Sequence, residues 1–433
     1  MDTAAFLSRH GARYPDPGAY NGWLSLYYKV FHPSFNLCIF INTAQIQNAT
    51  NFTTSAPELQ FLHNWTPVLK NASAEISLLN PGGWKELYDM GVFYRQNYSN
   101  LYTDGAHFDL WANRYQAGQP RVIDSARLFA RGYLGPDAET LGTVHVLNNS
   151  DPRSIANTLA ASDLCPTYLD NSGGDYATNW SNVYTPPIVN RINSLVKGIN
   201  FTASDVTTFA VLCGFETPIT GRRSPWCGVL QKDEIEAFEY AQDIRYWYGS
   251  GIGAGPVDQK LMLPFLTAVV ERLVNGPNHT YHNGNSSYTP NPLIATFSND
   301  GQINQLAAAI GVFDDQDPLP DTHIEKNRIF RSSYFVTMRG TITFERLVCG
   351  ANKDKYMRIK LNDAVYPVPS CMSGPGKSCP LSQYQAYVAN KTAAAGDFEV
   401  TCGIANSSVV PIGQDKTTFL WDLNLPFEYS VTP

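Results

Sequence analysis

Charged residues are scarce in this sequence. Asp, Glu, Lys and Arg together make up 16% of its 433 residues, and the formal net charge is −7. A general nucleic-acid-binding protein needs a basic face that displaces counterions, so we expect no nucleic-acid partner. Hydrophobic residues contribute 43% and aromatic residues 12%, which is typical of a packed globular protein and not of a disordered chain.

Several signatures are also missing. No apolar run is long enough to span a bilayer, so we expect no membrane partner. No C-x-x-C pair occurs, which makes a zinc site the weaker explanation of the cysteines. The absence of a G-x-S-x-G elbow argues against a serine hydrolase.

What is present points to an oxidising compartment. The chain has 8 cysteines, an even number with wide spacing, which favours disulfides. It also has a dozen N-x-S/T glycosylation sequons, more than chance supplies. We therefore expect a secreted glycoprotein of the extracellular, cell-wall or periplasmic space, and, without an export signal, a mature or trimmed form. The candidate glycosylation sites are Asn48, Asn51, Asn64, Asn71, Asn97, Asn148, Asn179, Asn200, Asn278, Asn285, Asn390 and Asn406.

Hydrophobic periodicity predicts strands that alternate with helices. The predicted strands are 3–7, 108–115, 291–300, 334–348 and 355–368. The predicted helices are 18–31, 82–98, 121–135, 204–216, 232–249, 257–276 with a bend at Pro264, and 302–313. The sequence beyond 313 is predicted to be rich in strands and turns. This order predicts an α/β core formed by residues 1–150 and 286–433, with a mainly helical insertion of residues 151–285.

The segment SRHGARYP places Arg9 and Arg13 on either side of His10. Like charges this close repel unless an anion lies between them, and guanidinium groups match the oxygens of phosphate. Neighbouring cations favour a neutral imidazole, whose lone pair can attack phosphorus. Gly11 lets a ligand approach the backbone. The alternative is a basic surface patch beside a structural histidine.

Two further charged residues lie at the end of a predicted strand or the start of a predicted helix. Arg121 opens a predicted helix, where a cation is unfavourable unless an anion also binds. Asp300 lies at the end of the predicted strand 291–300, where it could donate a proton to a leaving oxygen. The alternatives are a solvated arginine and an ordinary helix cap.

Together these motifs resemble those of a known family. SRHGARYP, RVIDSARLFARGY and the strand that ends at Asp300 resemble the histidine acid phosphatases, in particular the secreted fungal and yeast acid phosphatases and phytases. ITFERLVCG, KLNDAVYPV and CMSGPGKSCPL resemble later segments, so the resemblance covers essentially the whole chain except the family's N-terminal arm. It implies a phosphoglycerate-mutase-like α/β core, with a central mixed sheet flanked by helices, and a mainly helical inserted domain.

The resemblance also implies roles for individual residues. His10 corresponds to the nucleophile that forms a phosphohistidine, and Asp300 to the general acid. Arg9, Arg13 and Arg121 correspond to the phosphate clamp. Because three guanidinium groups supply positive charge, no metal and no other cofactor is implied.

The sequence departs from the family at one position. The family usually has His-Asp where this chain has Asn299-Asp300. Asn can donate a hydrogen bond to phosphate but carries no charge. Loss of a charged contact of about 1.5–3 kcal/mol predicts a rate roughly 10- to 100-fold lower. The alternative function is a phosphate- or inositol-phosphate-binding form with impaired turnover.

The resemblance also implies disulfide pairs. Three of them match the family, and the fourth is assigned because the chain lacks the usual partner of Cys349. The implied pairs are Cys213–Cys227, Cys371–Cys379, Cys165–Cys402 and Cys38–Cys349.

The segment after the catalytic motif bears on the substrate. Dedicated phytases of filamentous fungi tend to carry lysines there, whereas residues 15–23 contain none and include Asp16. This favours a broad acid phosphatase that acts on small-molecule phosphate monoesters, with phytate among them. A phosphotransferase related to the phosphoglycerate mutases is a rival, but those enzymes usually have Glu where this chain has Ala12. Homo-oligomers occur in the family, and this chain leaves that possibility open.

Overall fold

The computed structural model describes residues 1–31, 52–114, 120–406, 408 and 416–433. Its strands are β1 Thr3–Arg9, β2 Thr53–Thr54, β3 Phe108–Arg114, β4 Gly142–Asn148, β5 Val196–Lys197, β6 Tyr281–Asn283, β7 Ser286–Tyr288, β8 Leu293–Ser298, β9 Thr341–Cys349, β10 Asp354–Leu361, β11 Ala364–Tyr366, β12 Cys379–Pro380 and β13 Glu428–Val431. Its α-helices are α1 Pro17–Phe31, α2 Ala72–Glu75, α3 Pro81–Asn97, α4 Arg121–Leu134, α5 Ala138–Leu141, α6 Gly174–Ser194, α7 Ala203–Thr220, α8 Lys232–Ser250, α9 Leu263–Asn275, α10 Asp300–Ala309, α11 Leu381–Ala395 and α12 Phe398–Thr401.

A mixed sheet forms the centre of the fold. Its strand order is β11-β10-β9-β1-β8-β3-β4-β13, with β12 paired to β10. The central strands β1, β8, β3 and β4 are parallel, whereas β9, β10, β11 and β13 are antiparallel to their neighbours. Arg9 pairs with Ser298. The chain therefore leaves β1 and β8 side by side at their carboxyl ends, where open α/β sheets usually bind ligands.

Helices cover both faces of this sheet. Every residue of β1 and β8 is buried, as expected for parallel strands that read as continuous apolar runs. Ala4 and Phe6 pack in one apolar cluster with residues of α3 and α4, while Leu7 packs in a different cluster with residues of α9 and α10. These alternate residues face opposite sides of the sheet. The predicted α/β class, with a central mixed sheet flanked by helices, is confirmed.

The middle of the chain is mainly helical, with α6, α7, α8 and α9 between residues 151 and 285. Its apolar side chains join the same cluster as Leu7 of the sheet, so the two regions share a core. The domain boundaries therefore stay a prediction. In the part of the chain that the structure describes, none of the helices has the length and apolar character needed to cross a membrane.

The structure corrects three details of the predicted secondary structure. The predicted helix 257–276 begins only at Leu263, and Pro264 lies in its first turn. Proline lacks an N–H and clashes inside a helix, so the first turn is where it fits. The region beyond 313 contains the strands β9 to β13, as predicted, but it also contains the helix α11. Leu381, Tyr384 and Val388 of α11 are buried at helical spacing. In addition, the strand predicted from 334 begins at Thr341.

The structure joins Cys165 to Cys402, Cys213 to Cys227 and Cys371 to Cys379, which are three of the expected disulfide pairs. The fourth pair stays untested because Cys38 lies outside the described residues. Two sequons, Asn48 and Asn51, also lie outside them. The other sequon asparagines are exposed except Asn148, which is half-buried. They are accessible to glycosylation, which stays a prediction.

Candidate active site

His10 lies directly after β1, and its backbone is held from two sides. Its N–H donates to the carbonyl of Ser298 at 3.1 Å, and its own carbonyl accepts from the N–H of Arg339 at 2.9 Å. The side chain is buried, with 1% exposed. Nδ1 lies 2.9 Å from the carbonyl oxygen of Gly11. Since a carbonyl only accepts, Nδ1 carries the hydrogen and Nε2 keeps its lone pair.

The surroundings of His10 keep the imidazole neutral. Burial lowers the pKa of His10 well below its usual value, and the charges of Arg9, Arg121 and Arg13 lower it further. The hydrogen bond to Gly11 opposes these effects only in part. A neutral imidazole at acid pH is a competent nucleophile.

Arg9 and Arg13 come from the end of β1 and the loop that follows. Nη1 of Arg9 donates to the carbonyl of Val336 at 2.6 Å. Arg13 donates to the carbonyl of Tyr14 at 2.9 Å and pairs with Asp16 at 3.3 Å. Its guanidinium also lies 5.5 Å from the centre of the Phe215 ring. These contacts orient two cations beside His10.

Arg121 is the first residue of α4 and is buried, with 7% exposed. Its Nη1 donates to the carbonyl of Ser77 at 3.4 Å. The hydroxyl of Ser125, one turn later, donates to the carbonyl of Arg121 at 2.6 Å and accepts from the N–H of Gly11 at 3.2 Å. This serine links α4 to the loop that carries His10. The N-terminal helix dipole adds positive potential at the same place.

Asp300 is the first residue of α10 and faces the arginines. Its Oδ2 accepts from the hydroxyl of Tyr246 at 2.7 Å and lies 3.5 Å from Nη2 of Arg9. Burial by itself raises the pKa of Asp300, but the charge of Arg9, the Tyr246 hydrogen bond and the charge of Arg245 outweigh it. The pKa of Asp300 is therefore held well below its usual range, so the carboxyl group is ionised before a substrate binds.

Asn299 occupies the N-cap position of α10 and is 7% exposed. Neither its amide oxygen nor its amide nitrogen has a hydrogen-bond partner among the described residues. Buried amide groups nearly always have partners, so this one is suited to a polar ligand. Asn299 lines a cavity of about 240 Å³ together with Arg121, Asp300 and Arg245.

The structure thus brings together all six predicted residues of the site: Arg9, His10, Arg13, Arg121, Asn299 and Asp300. Sequence reasoning missed Tyr246 and Ser125, which contact Asp300 and Gly11. Tyr246 is one of 24 tyrosines in the chain, and its helix was predicted, but no local pattern distinguishes it from the others. Three guanidinium groups and a neutral imidazole can bind a tetrahedral anion and attack its centre.

Comparison with known proteins decides the family. The model of the histidine phosphatase superfamily (branch 2) matches residues 1–362. This chain belongs to that superfamily. Over 98% of its length it is 28% identical to acid phosphatase PHO1 of Komagataella pastoris, of which the match covers 84%. Over 88% of its length it is 31% identical to the thiamine-repressible acid phosphatase pho4 of Schizosaccharomyces pombe, of which 79% is covered.

The fold agrees with this assignment. The crystal structure of the phytase from D. castellii superposes with a TM-score of 0.80, covers 99% of this chain and 85% of its own, and is 24% identical. The resemblance to yeast acid phosphatases and phytases is therefore confirmed at the level of the family. This histidine phosphatase has the family's acid phosphatase or phytase type of function.

Proposed function

We propose that the protein is a secreted acid phosphomonoesterase that hydrolyses small phosphate monoesters, phytate among them, through a phosphohistidine on Nε2 of His10. One observation carries this proposal: a buried imidazole that hydrogen-bonds through Nδ1 and is kept neutral by Arg9, Arg121 and Arg13. A structural histidine gains nothing from three guanidinium neighbours, whereas a nucleophile beside a bound phosphate requires them.

The proposed reaction has two steps. Nε2 of His10 attacks phosphorus while the bond from phosphorus to the ester oxygen breaks, and the leaving alcohol takes a proton from Asp300. Water then attacks the phosphohistidine, its proton passes to Asp300, and the phosphorus–nitrogen bond breaks to release inorganic phosphate. Arg9, Arg13 and Arg121 stabilise the charge on the phosphoryl oxygens in both steps.

The proton that Asp300 donates has to arrive with the substrate. Asp300 is ionised in the free protein because Arg9 and Tyr246 stabilise its charge. A phosphate monoester loses its second proton with a pKa of about 6, so below that pH it binds as a monoanion that carries a proton. The bound phosphoryl group offsets the charges of Arg9 and Arg245, which raises the pKa of Asp300 and lets it take this proton to become the general acid. Activity should therefore fall as the pH rises through about 6.

Asn299 is proposed to donate a hydrogen bond from Nδ2 to a phosphate oxygen. Its unpartnered amide in the cavity beside Arg121 supports this role. The contact adds no charge, so the site binds phosphate less strongly than one with a protonated histidine would. The disulfides and the exposed sequons support the proposed secretion.

Hydrolysis of phytate and of an aryl phosphate, followed from pH 3 to 8, tests the function. We expect release of inorganic phosphate from both at acid pH, and a rapid-quench experiment with ³²P-labelled aryl phosphate should trap a phosphoenzyme that acid destroys. Tight binding of phosphate without turnover would instead favour the binding-protein alternative. Transfer of the phosphoryl group to added alcohol in preference to water would favour the phosphotransferase.

A further inference from the structure

The first turns of α3 hold the loop that carries the candidate nucleophile. The backbone N–H of Asn80, which caps α3, donates to the carbonyl of Ala12 at 3.1 Å. The side-chain amide of Asn80 donates to the carbonyl of Arg13 at 3.2 Å. Two carbonyl groups of the loop after His10 are therefore fixed by one helix cap.

The loop and α3 lie in direct contact. A Cβ atom on Gly83 would lie 1.9 Å from the carbonyl oxygen of Ala12, and a Cβ atom on Gly11 would lie 2.3 Å from Cδ2 of Leu87. Only glycine permits this approach at both positions. A shift of α3 would therefore move the backbone beside His10.

Glu86 adds a further hydrogen bond between α3 and the loop after His10. Its Oε2 accepts from the N–H of Ala12 at 2.9 Å, so the remaining polar group of that residue is held by the same helix. Burial raises the pKa of Glu86, while the hydrogen bond from Ala12 and the charge of Arg339 oppose this shift. Arg339 in turn donates its backbone N–H to the carbonyl of His10 at 2.9 Å.

A carboxylate at this position is electrostatically unfavourable for a phosphate site. It lies close to the loop whose arginines attract the anion, and its own charge repels that anion. The hydrogen bond to Ala12 is the contribution that offsets this cost. A carboxamide could supply the same acceptor without the charge, which separates the two effects experimentally.

We propose that Glu86 is a positioning residue for phosphoryl transfer, which fixes the N–H of Ala12 and through it the backbone that carries His10 and Arg13. The inference rests on the proposed phosphatase function. Glu86 contacts neither the phosphate nor the reacting atoms in this role. Displacement of a nucleophile from its line of attack lowers the rate of the chemical step more than it lowers binding.

The test compares Glu86→Leu, Glu86→Asp and Glu86→Gln at pH 5. Leucine keeps the helix propensity and the volume but removes the acceptor, and aspartate keeps the charge but is too short to reach Ala12. We expect both to lower kcat about tenfold, the value of one hydrogen bond to a charged group, with little change in KM. Glu86→Gln should retain kcat within about twofold, because its carboxamide oxygen supplies the same acceptor to Ala12. Asp89→Leu is the matched control, since Asp89 is an exposed carboxylate on the same helix that pairs with Lys85.

Thermal unfolding of each variant accompanies the kinetics, and phosphoenzyme formation is measured in a single turnover. An unchanged kcat in Glu86→Asp, or an equal loss in Glu86→Gln and Glu86→Leu, would overturn the proposal. If Glu86→Leu fails to fold, the aspartate and glutamine variants decide the question by the same criteria. An inactive wild-type protein would instead refute the proposed function, so the two failures can be told apart.

Discussion

Two buried histidines in this protein have opposite protonation states. His10, at the end of β1, is 1% exposed, and His145, within β4, is 5% exposed. The pKa of His10 lies well below the usual value, whereas the pKa of His145 is raised to about 9. The same side chain, equally buried near one sheet, is thus neutral in one place and cationic in the other.

Burial does not explain the difference, because it lowers the pKa of both residues. The charged groups next to each imidazole determine whether its pKa is lowered or raised. Arginines surround His10, whereas Nε2 of His145 lies 2.8 Å from Asp109 and Nδ1 lies 3.1 Å from Glu428. Guanidinium groups favour a neutral imidazole that can act as a nucleophile, and carboxylates favour a cation that can only hold structure together.

The carboxylates around His145 are themselves unequal. Burial raises the pKa of Glu428, although His145 opposes this shift. Burial also acts to raise the pKa of Asp109, but hydrogen bonds from His145 and Tyr288 lower it overall. At acid pH Glu428 therefore loses its charge first, and the pair of His145 with Asp109 persists. Through these contacts His145 connects β3, β4 and the C-terminal strand β13.

The largest effect is expected from His10→Ala. Loss of the nucleophile should reduce turnover by on the order of 10⁴-fold or more, as it does in other covalent enzymes, and should abolish the trapped phosphoenzyme. His145→Gln serves as the control because it removes a buried histidine that faces no substrate. Retention of full activity in the His10 variant would refute the mechanism.

Asp300→Asn is expected to have the next largest effect. Without the general acid, kcat should fall about 10²- to 10⁴-fold for alkyl phosphates, whose leaving oxygen needs a proton. An aryl phosphate with an acidic leaving phenol should lose much less, and comparison of the two substrates measures the difference. Equal losses on both substrates would show that Asp300 does not protonate the leaving group.

His145→Gln should alter stability and not turnover. Because the folded-state pKa of His145 is raised to about 9, its contribution is fully present below the unfolded pKa near 6.5 and is lost as the pH rises through about 9. The variant should thus be less stable than wild type by about 3 kcal/mol at pH 6, where Glu428 keeps more of its charge than at lower pH, and nearly equal to it at pH 10. Urea unfolding at both pH values measures this gap, and a gap that does not depend on pH would argue against a cationic His145.

The smallest effect is expected from Asn299→His. A protonated imidazole adds one charged contact to the bound phosphate, so hydrolysis of an aryl phosphate at pH 4–5 should rise by about tenfold. The gain should vanish near neutral pH, where the new histidine loses its proton. A full pH profile of kcat/KM measures both effects. An unchanged or lower rate at acid pH would show that this site is adapted to asparagine.

Much of the candidate site could be predicted because its residues follow apolar strands. Burial on both faces makes β1 and β8 continuous apolar runs, so the polar residues that end them, Arg9, His10, Asn299 and Asp300, are visible in the sequence. The side chains that hold these residues in place could not be identified from the sequence. Tyr246 and Glu86 lie inside amphipathic helices, where a polar residue has no distinctive pattern.

The contacts of His145 could not be predicted from the sequence either. Its strand, β4, and the strand of Glu428, β13, were not assigned from the sequence. β13 is a short edge strand that pairs with β4, although the two strands are far apart in the chain. Ser430 of β13, for example, lies opposite His145 of β4 and is 285 residues away in the sequence. No local spacing indicates such a pairing, so neither the salt bridge nor the raised pKa of His145 could be predicted.

The sequence by itself determined the chemical groups at the two strand ends and the family to which the chain belongs. It did so because buried parallel strands and the SRHGARYP motif are local patterns. Only the tertiary structure decided which neighbours surround each histidine, and electrostatic shifts depend on distances of a few ångströms between residues far apart in the chain. For that reason the neutral state of His10 and the cationic state of His145 are properties of the fold.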